Sequence, residues 1–225
     1  IQRPETIFMV TSQWHPRKGV DDVITAYLTE FTDKDSVGLL LFTWGGSHGS
    51  LERDKIRRMI GHIREGLNVG NQPKIFYVGQ NIPREAVPEL YALSDVQVSA
   101  SRGEAMGIPF FEAGACGKPT IVTGWGGQRD YLDDDMAYFV DYDMEPVHGV
   151  AGYKHYSAVA DNQWARPRLN SLRQQMRRAH EEKGERLRKG QRALEMVVDR
   201  LTHDKIGDLM KEKFLSHVDT RVVAV

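Results

Sequence analysis

Two glutamates stand out in the segment SASRGEAMGIPFFEAGACGKPTIV because they lie on either side of a short run of small residues. Glu104 follows a glycine on a polar loop, whereas Glu112 lies in the apolar stretch that comes next. Pro109 suits the first position of a helix, where a missing N–H is harmless, and Gly117 suits the C-terminal cap. The pattern predicts a helix that starts at Pro109, with Glu104 before it and Glu112 in its first turn.

The start of this helix is a predicted anion site. The amides of Met106, Gly107 and Ile108 precede the first turn, where free N–H groups and the positive end of the helix dipole favour a phosphate without a metal ion. Each carboxylate also has an ordinary explanation, since Glu112 would complement the dipole and Glu104 would suit an exposed loop. Their joint position at one helix start favours a ligand site that both border.

A second loop with charged side chains, SQWHPRKG, follows the first predicted strand. In a doubly wound sheet, ligands bind beyond the carboxyl ends of the strands, at the point where the strand order reverses. If the order is 3-2-1-4-5-6, this loop faces the loop that carries Glu104. Lys18 alone would more often be solvated than bound to phosphate, but in this arrangement it lies opposite Glu104.

Alternating strands and helices position these two loops. Apolar residues recur at helical spacing from Val20 to Phe31, and two later segments repeat the pattern. Such alternation predicts an α/β fold, a doubly wound, Rossmann-like parallel sheet of six strands with helices on both faces. The predicted strands are Thr6–Ser12, Val37–Thr43, Lys74–Val78, Asp95–Ser99, Thr120–Thr123 and Ala137–Val140.

The pattern changes after the sixth strand. Residues 141–168 contain several glycines, prolines and tyrosines without periodicity, which indicates a long ordered loop or a small excursion. Beyond them the chain is helical by pattern, with breaks near Gly184 and Thr202. We expect one α/β domain over residues 1–168 and a C-terminal helical extension over residues 169–225.

The composition is that of an ordinary globular protein. The chain has 225 residues and a formal net charge of −1, which gives no general attraction for nucleic acid or anionic lipid. Its single cysteine, Cys116, excludes an internal disulfide framework and suits a reducing, cytoplasmic compartment. Residues 173–192 hold eight lysines and arginines against three glutamates, which favours a solvated helix face and leaves contact with a membrane surface or a partner domain open.

Other kinds of site fit the sequence less well. The loop after the first strand lacks the glycine pattern of a dinucleotide-binding dehydrogenase. The run Asp133 to Asp135 is more typical of a solvated turn than of a metal chelate, and no His/Cys spacing suggests zinc. His15 and His48 lie on loops near the predicted crevice, and His15 has a weak claim to touch a ligand. His155 lies elsewhere.

Four segments together resemble the retaining nucleotide-sugar glycosyltransferases of family 4, which have the B-type fold. EAMGIPFFE matches their E-x7-E motif, and HPRKGVDDVITAY is similar to their first-loop segment. IFYVGQNIPREAVPELYALSDVQVSAS resembles their middle segment, and GKPTIVTGWGGQRDYL the stretch after the second glutamate. The resemblance covers about residues 6–141, and DNQWARPRLNSLRQQMR is similar to a tryptophan-alanine-x-proline stretch that follows the donor domain in some members. It implies the C-terminal, donor-binding domain, for which we expect residues 1–168.

The resemblance implies a role for each residue that matches a family position. Lys18 would hold the donor diphosphate, Glu104 would contact the hydroxyls of the donor sugar, and Glu112 would bind the ribose. Glu104 and Lys18 are the residues expected to carry catalysis. The full set expected to bind the donor is Gln13, Arg17, Lys18, Arg102, Glu104, Ala105, Met106, Gly107, Ile108, Glu112, Gly126 and Gly127.

The sequence departs from the family pattern at one position in the first loop. Five residues before the lysine the family usually has an arginine, and here that position is Gln13. Arg17, directly before Lys18, and Arg102 are candidates to supply the missing charge. The two glycines, Gly126 and Gly127, are expected to let the backbone pass close to the donor.

The implied activity is retaining transfer of a hexose from a UDP-, GDP- or ADP-sugar to an unknown acceptor, without a metal or other cofactor. The family also has an N-terminal domain that carries acceptor-binding groups, so we expect such a domain or a partner chain to complete the enzyme. This half alone should bind the donor and show little turnover. The alternative is a non-catalytic nucleotide-sugar binding module or regulatory subunit.

Overall fold

A six-stranded parallel sheet forms the centre of the protein. The computed structural model describes residues 2–46, 49–147 and 162–217. The strand order is β3-β2-β1-β4-β5-β6, with the reversal between β1 and β4, as the sequence predicts. The strands are β1 (Thr6–Gln13), β2 (Val37–Trp44), β3 (Lys74–Val78), β4 (Val96–Ser99), β5 (Thr120–Thr123) and β6 (Ala137–Val140).

The described ranges contain seven α-helices. They are α1 (Val20–Glu30), α2 (Ser50–Gly66), α3 (Val87–Leu93), α4 (Ile108–Ala115), α5 (Leu169–Glu181), α6 (Lys183–Arg200) and α7 (His203–His217). His48 and His155 fall outside the described residues, as do the middle of the 141–168 segment and the end of the chain.

Both faces of the sheet are covered by helices. Successive side chains of a central strand point to opposite sides, so one strand contributes to the packing on each face. Phe8 and Val10 of β1 pack on one face with α1 and with Leu172 of α5. Met9 packs on the other face with Tyr91 of α3 and with part of α4. The expected placement of helices on both faces is therefore confirmed.

The C-terminal helices α5 and α6 pack on the α/β unit. Arg177 of α5 ties this helix to α1, since its guanidinium contacts both Glu30 and Asp35 at 2.8 Å. Two of the basic residues expected on a solvated face are instead buried, namely Arg186 and Lys189. Both donate to backbone carbonyls, which satisfy the buried charge and explain why the solvated-face prediction is wrong for them. In α7, no residue is buried.

The segment after β6 contains structure that the sequence pattern did not predict. Strands β7 (Tyr142–Pro146) and β8 (Gln163–Pro167) pair antiparallel as a separate two-stranded sheet, so the excursion is a β-ribbon at its base. Two boundaries also differ, because α4 begins at Ile108 rather than at Pro109, and α5 ends at Glu181 rather than near Gly184. Among the described residues, no helix combines the length and apolar character needed to cross a bilayer.

Candidate functional site

The loops after β1 and β4 meet at the point where the strand order reverses. The amide of Arg102 donates to the carbonyl of Arg17 over 2.7 Å, which joins the two loops. Gly19 has a φ of +60°, and a Cβ there would lie 2.4 Å from the carbonyl oxygen of Ala100. A glycine at this position therefore permits both the turn into α1 and the close approach of the second loop.

Two basic side chains of the first loop converge on one carboxylate of the second. Lys18 Nζ lies 2.5 Å from Glu104 Oε1, and Arg17 Nη1 lies 3.3 Å from the same oxygen. The Glu104 side chain is only 10% exposed. Burial acts to raise the pKa of Glu104, but the hydrogen bond and charge of Lys18, with the charge of Arg17, outweigh it and lower that pKa. Glu104 is therefore an ionised, half-buried acceptor at neutral pH.

A short 3-10 turn, Pro16–Lys18, fixes the position of these basic residues. The Nδ1 atom of His15 accepts from the amide of Arg17 over 3.1 Å and caps this turn. Burial first, and then the charges of Arg17 and Lys18, lower the pKa of His15, which keeps the ring neutral. Arg17 also donates to the carbonyl of Gly103, so both loops are held together around Glu104.

The start of α4 follows Glu104 on the same loop. Gly107 precedes the helix with a φ of +72°, a left-handed conformation that favours glycine. The amides of Met106, Gly107 and Ile108 donate to no other group in the described part of the chain. The side chains of Met106 and Ile108 are exposed. Free amides and the positive end of the dipole make this helix start suitable for an anion.

Glu112 lies in the second turn of α4, and its predicted place in the first turn is wrong. The reason is that the helix begins one residue earlier, at Ile108. The hydroxyl of Tyr91 on α3 donates to Glu112 Oε2 over 2.9 Å. Burial and the charge of Glu112 raise the pKa of Tyr91, so this phenol stays protonated and orients the carboxylate. Tyr91 is a supporting residue that the sequence analysis missed.

The glycine pair after β5 forms a third wall of the site. The amide of Gly127 donates to the carbonyl of Glu104 over 3.0 Å. A Cβ at Gly127 would lie 1.6 Å from the carbonyl oxygen of Ala105. Gly126 has a φ of +114° and also approaches Glu104. The close approach seen in this structure is thus between two loops of the protein, and an approach to the donor stays a prediction.

Gln13, which departs from the family pattern, and Arg102, a candidate to supply the missing charge, have different contacts in the structure. The side-chain amide of Gln13 donates to the carbonyl of Gly45 over 3.1 Å, at the ends of β1 and β2. The guanidinium of Arg102 pairs with Asp22 at 2.9 Å and stacks over the ring of Trp164. Of the two arginines considered as sources of extra charge, only Arg17 has its guanidinium beside Glu104.

Three aromatic residues near the site were given no role in the sequence analysis. The Tyr131 hydroxyl donates to the carbonyl of Met106 over 2.5 Å and so braces the start of α4. Trp125 and Trp164 line a cleft of about 520 Å³ that Glu104 also borders. The GWGGQRDYL stretch holds two of them, but sequence spacing alone does not show which loop they reach.

The described residues include no group of three or more His, Cys, Asp or Glu side chains that could hold a metal ion. In the acidic run Asp133 to Asp135, Asp133 Oδ1 accepts from the amide of Asp135 over 2.9 Å. The Asp133 carboxylate therefore takes part in a turn, and all three residues are exposed, which is the interpretation that the sequence favoured.

Comparison with known proteins supports the resemblance. A family model described as "Glycosyl transferases group 1" matches residues 4–147. A curated relative, N-acetyl-alpha-D-glucosaminyl L-malate synthase of Bacillus anthracis, is 27% identical over 142 residues, which are 63% of this chain and 33% of that protein. The chain thus spans about a third of the length of this relative.

Solved structures show the same fold. The C-terminal domain of a group 1 glycosyl transferase from Francisella tularensis matches 89% of this chain and 88% of that one, with a TM-score of 0.63 and 17% identity. Sucrose-phosphate synthase from Thermosynechococcus elongatus matches 96% of this chain and 47% of its own, with a TM-score of 0.68 and 21% identity. Anabaena HepE, solved with UDP and glucose, matches 93% of this chain and 48% of its own, with a TM-score of 0.66 and 17% identity.

These likenesses agree with the sheet order and with the resemblance to glycosyltransferases. The structural relatives confirm the Rossmann-like architecture of a B-type glycosyltransferase, and the Francisella domain corresponds to almost the whole of this chain. Because the family model covers more than half of its residues, the chain belongs to the glycosyl transferases group 1 family.

Proposed function

We propose that this chain binds the nucleotide diphosphate sugar in a retaining, metal-independent transfer of a hexose. The observation that carries the proposal is the convergence of Lys18, Arg17 and Glu104 beside the start of α4. Two cations and a helix N-terminus favour a diphosphate, while an ionised carboxylate next to them accepts hydrogen bonds from a sugar. Anion and sugar recognition thus occur side by side.

The chemistry follows from where charge develops. When the glycosidic C–O bond breaks, its electron pair stays on the diphosphate, whose oxygens become more negative. Lys18 and the free amides at Met106, Gly107 and Ile108 would stabilise that charge. Glu104 would hold the sugar hydroxyls and so fix the ring, and no residue needs a metal ion to do this.

The nucleotide would lie on the α3 side of the site. Glu112, oriented by Tyr91, has carboxylate oxygens that suit a vicinal diol such as that of ribose. Two structural relatives were solved with UDP and a sugar, which is glucose in Anabaena HepE and GlcNAc in the pneumococcal O-GlcNAc transferase. They support testing UDP first among UDP, GDP and ADP. Titration with the three nucleotides and their sugars then identifies the base and the sugar that this chain binds.

A complete enzyme would need more than this half. The chain spans 47% of the sucrose-phosphate synthase chain and 48% of the HepE chain. We propose that an N-terminal domain or a partner chain supplies the acceptor-binding wall. Residues 1–168 would form the donor-binding unit, and residues 169–225 would form its C-terminal helical extension. The cytoplasmic location, with or without contact at a membrane surface, stays a prediction.

Calorimetric titration with UDP, GDP and ADP, with and without magnesium, tests the donor site. We expect one nucleotide to bind with micromolar affinity that magnesium does not change. Loss of a charge-assisted hydrogen bond of about 1.5–3 kcal/mol in Lys18→Ala should weaken binding roughly 10- to 150-fold. Lys55→Ala is the matched control, since Lys55 is an exposed lysine on α2.

The outcomes separate the proposal from its rivals. Nucleotide binding that Lys18→Ala leaves intact would place the nucleotide elsewhere and refute the assigned site. A strict need for magnesium would refute metal independence. Binding without transfer, even after the missing half is supplied, would favour the non-catalytic module. Retention is then read from the anomeric configuration of the product by NMR.

A further inference from the structure

The β7–β8 ribbon is joined directly to the loop that carries Glu104. The amide of Ala165 in β8 donates to the carbonyl of Arg102 over 2.9 Å. The carboxylate of Glu145 in β7 lies 3.7 Å from the Arg102 guanidinium. Strand β8 also lies outside residues 4–147, the part of the chain that matches the family. Strand β7 lies within that matching stretch. Through Arg102 the ribbon reaches the proposed donor site.

Trp164 of β8 is held in one orientation. Its indole Nε1 donates to Glu145 Oε1 over 2.9 Å, and the Arg102 guanidinium lies 5.5 Å from the ring centroid. Arg102 is itself fixed by Asp22 at 2.9 Å. An aromatic ring whose tilt and position are fixed by two separate contacts is preorganised to receive a ligand.

Trp164 and Trp125 line the cleft of about 520 Å³ next to Glu104, and both are half-buried. The cleft also contains Arg17 and the side chain of Gln163, which add hydrogen-bonding groups. Aromatic faces together with a few polar groups suit a ligand that is apolar on one face and polar at its edge. A pyranose ring has that character, because its axial C–H groups form an apolar face and its hydroxyls surround it.

The position of the cleft distinguishes a sugar from the nucleotide. Glu112, the proposed ribose ligand, contacts Tyr91 on α3, whereas Trp125 follows β5 on the other side of β4. A donor held by Glu112 and Glu104 therefore has its base on the α3 side. With the donor in this direction, the cleft beside Glu104 lies on the sugar side of the site, away from the base.

We infer that Trp164 and Trp125 form a carbohydrate subsite in which Trp164 stacks on a pyranose ring. The inference rests on the proposed function for the direction of the donor. The ring belongs either to the donor sugar or to a saccharide acceptor, and the two sources share the same chemistry. In either case the β7–β8 ribbon determines which sugar the site accepts.

Indole resonances of the full chain test this subsite. The chain has four tryptophans, so ¹⁵N labelling gives four indole N–H signals, and Trp164→Phe and Trp125→Phe assign two of them. The probes are UDP, UDP-glucose and methyl α-D-glucoside. A Trp164 shift with UDP-glucose but not with UDP identifies the donor sugar. A shift with the methyl glucoside identifies an acceptor saccharide.

Affinities of the variants complete the test. We expect Trp164→Ala to weaken the sugar-bearing probe about tenfold, or about 1.4 kcal/mol, with UDP unchanged. Trp164→Phe should lose less, since it keeps an aromatic face, and it remains informative if the alanine variant does not fold. Arg168→Ala is the control at the end of the same ribbon, because Arg168 is exposed and pairs with Asp143 away from the cleft.

The inference is overturned if no probe shifts Trp164 and the variants bind every sugar as the wild type does. A shift with UDP alone also overturns it, since the cleft would then hold the nucleotide. Failure of the proposed function looks different. In that case no nucleotide binds, whereas the methyl glucoside still shifts Trp164 if the subsite exists.

Discussion

Replacing Gly127 by alanine should disrupt the proposed donor site by a purely steric route. A Cβ at this position would lie 1.6 Å from the carbonyl oxygen of Ala105, whereas real contacts of this kind essentially never fall below 3.0 Å. The φ of Gly127 is ordinary, so backbone strain plays no part. The two loops must therefore separate by about 1.4 Å, a displacement of the size that disturbs catalytic geometry.

Such a shift has two measurable consequences. Overpacking of a tight contact lowers the free energy of unfolding by about 1–3 kcal/mol. The shift also moves Glu104, whose carbonyl accepts from the Gly127 amide, relative to Lys18. If one charge-assisted hydrogen bond to the donor is lost, worth about 1.5–3 kcal/mol, affinity falls roughly 10- to 150-fold.

Urea unfolding and titration with the nucleotide sugar measure both effects. Gly61→Ala in α2 is the matched control, since a Cβ there meets nothing within 4 Å. In a helix interior this change should raise the stability by about 0.5–1 kcal/mol and leave binding unchanged. A Gly127→Ala protein with wild-type stability and affinity would refute the reasoning, because it would show that the loops separate freely.

Two further predictions concern stability. The pKa of Glu104 is lower in the folded protein than the ordinary glutamate value of 4.5. Its ion pair with Lys18 therefore stabilises the fold fully above pH 4.5. This stabilisation is lost as the pH falls through the lower, folded-state pKa. The stability difference between wild type and Lys18→Ala, from urea unfolding at several pH values, should shrink in acid; a constant difference would contradict this. Arg177→Ala breaks half-buried contacts with Glu30 and should lower the free energy of unfolding by about 1–3 kcal/mol. The exposed Arg57→Ala should change it by about 0.5 kcal/mol or less, and equal effects would contradict the role given to burial.

The sheet and the meeting of the two loops were predictable because local patterns determine them. The apolar face of α1, from Val20 to Leu28, shows in the sequence at helical spacing and is buried as expected. Strand–helix alternation leaves few topologies once crossovers are right-handed. Given the resulting order, the loops with Lys18 and Glu104 must meet, and they do.

What could not be predicted depends on contacts between residues distant in sequence. Strands β7 and β8 are short and are separated by residues 147–162, so their antiparallel register has no local signal. The burial of Arg186 depends on the position of Thr6, which accepts from its guanidinium over 3.0 Å. In the sequence, the β7–β8 ribbon cannot be distinguished from a polar loop, and the helix that buries Arg186 cannot be distinguished from a solvated helix.

The Lys18–Glu104 pair links the two halves of the proposed recognition. In this structure the ammonium and the carboxylate satisfy each other, which avoids the large free-energy cost of an unpaired, half-buried charge. A nucleotide sugar would replace both partners at once, giving Lys18 a phosphate and Glu104 the sugar hydroxyls. A bare diphosphate would compete for Lys18 but offer nothing to Glu104, which then keeps Arg17 at 3.3 Å and the Ser101 side chain. If the chain has the proposed function, the ion pair would favour a complete donor over its leaving group, and the site would release the nucleotide diphosphate once the sugar has moved.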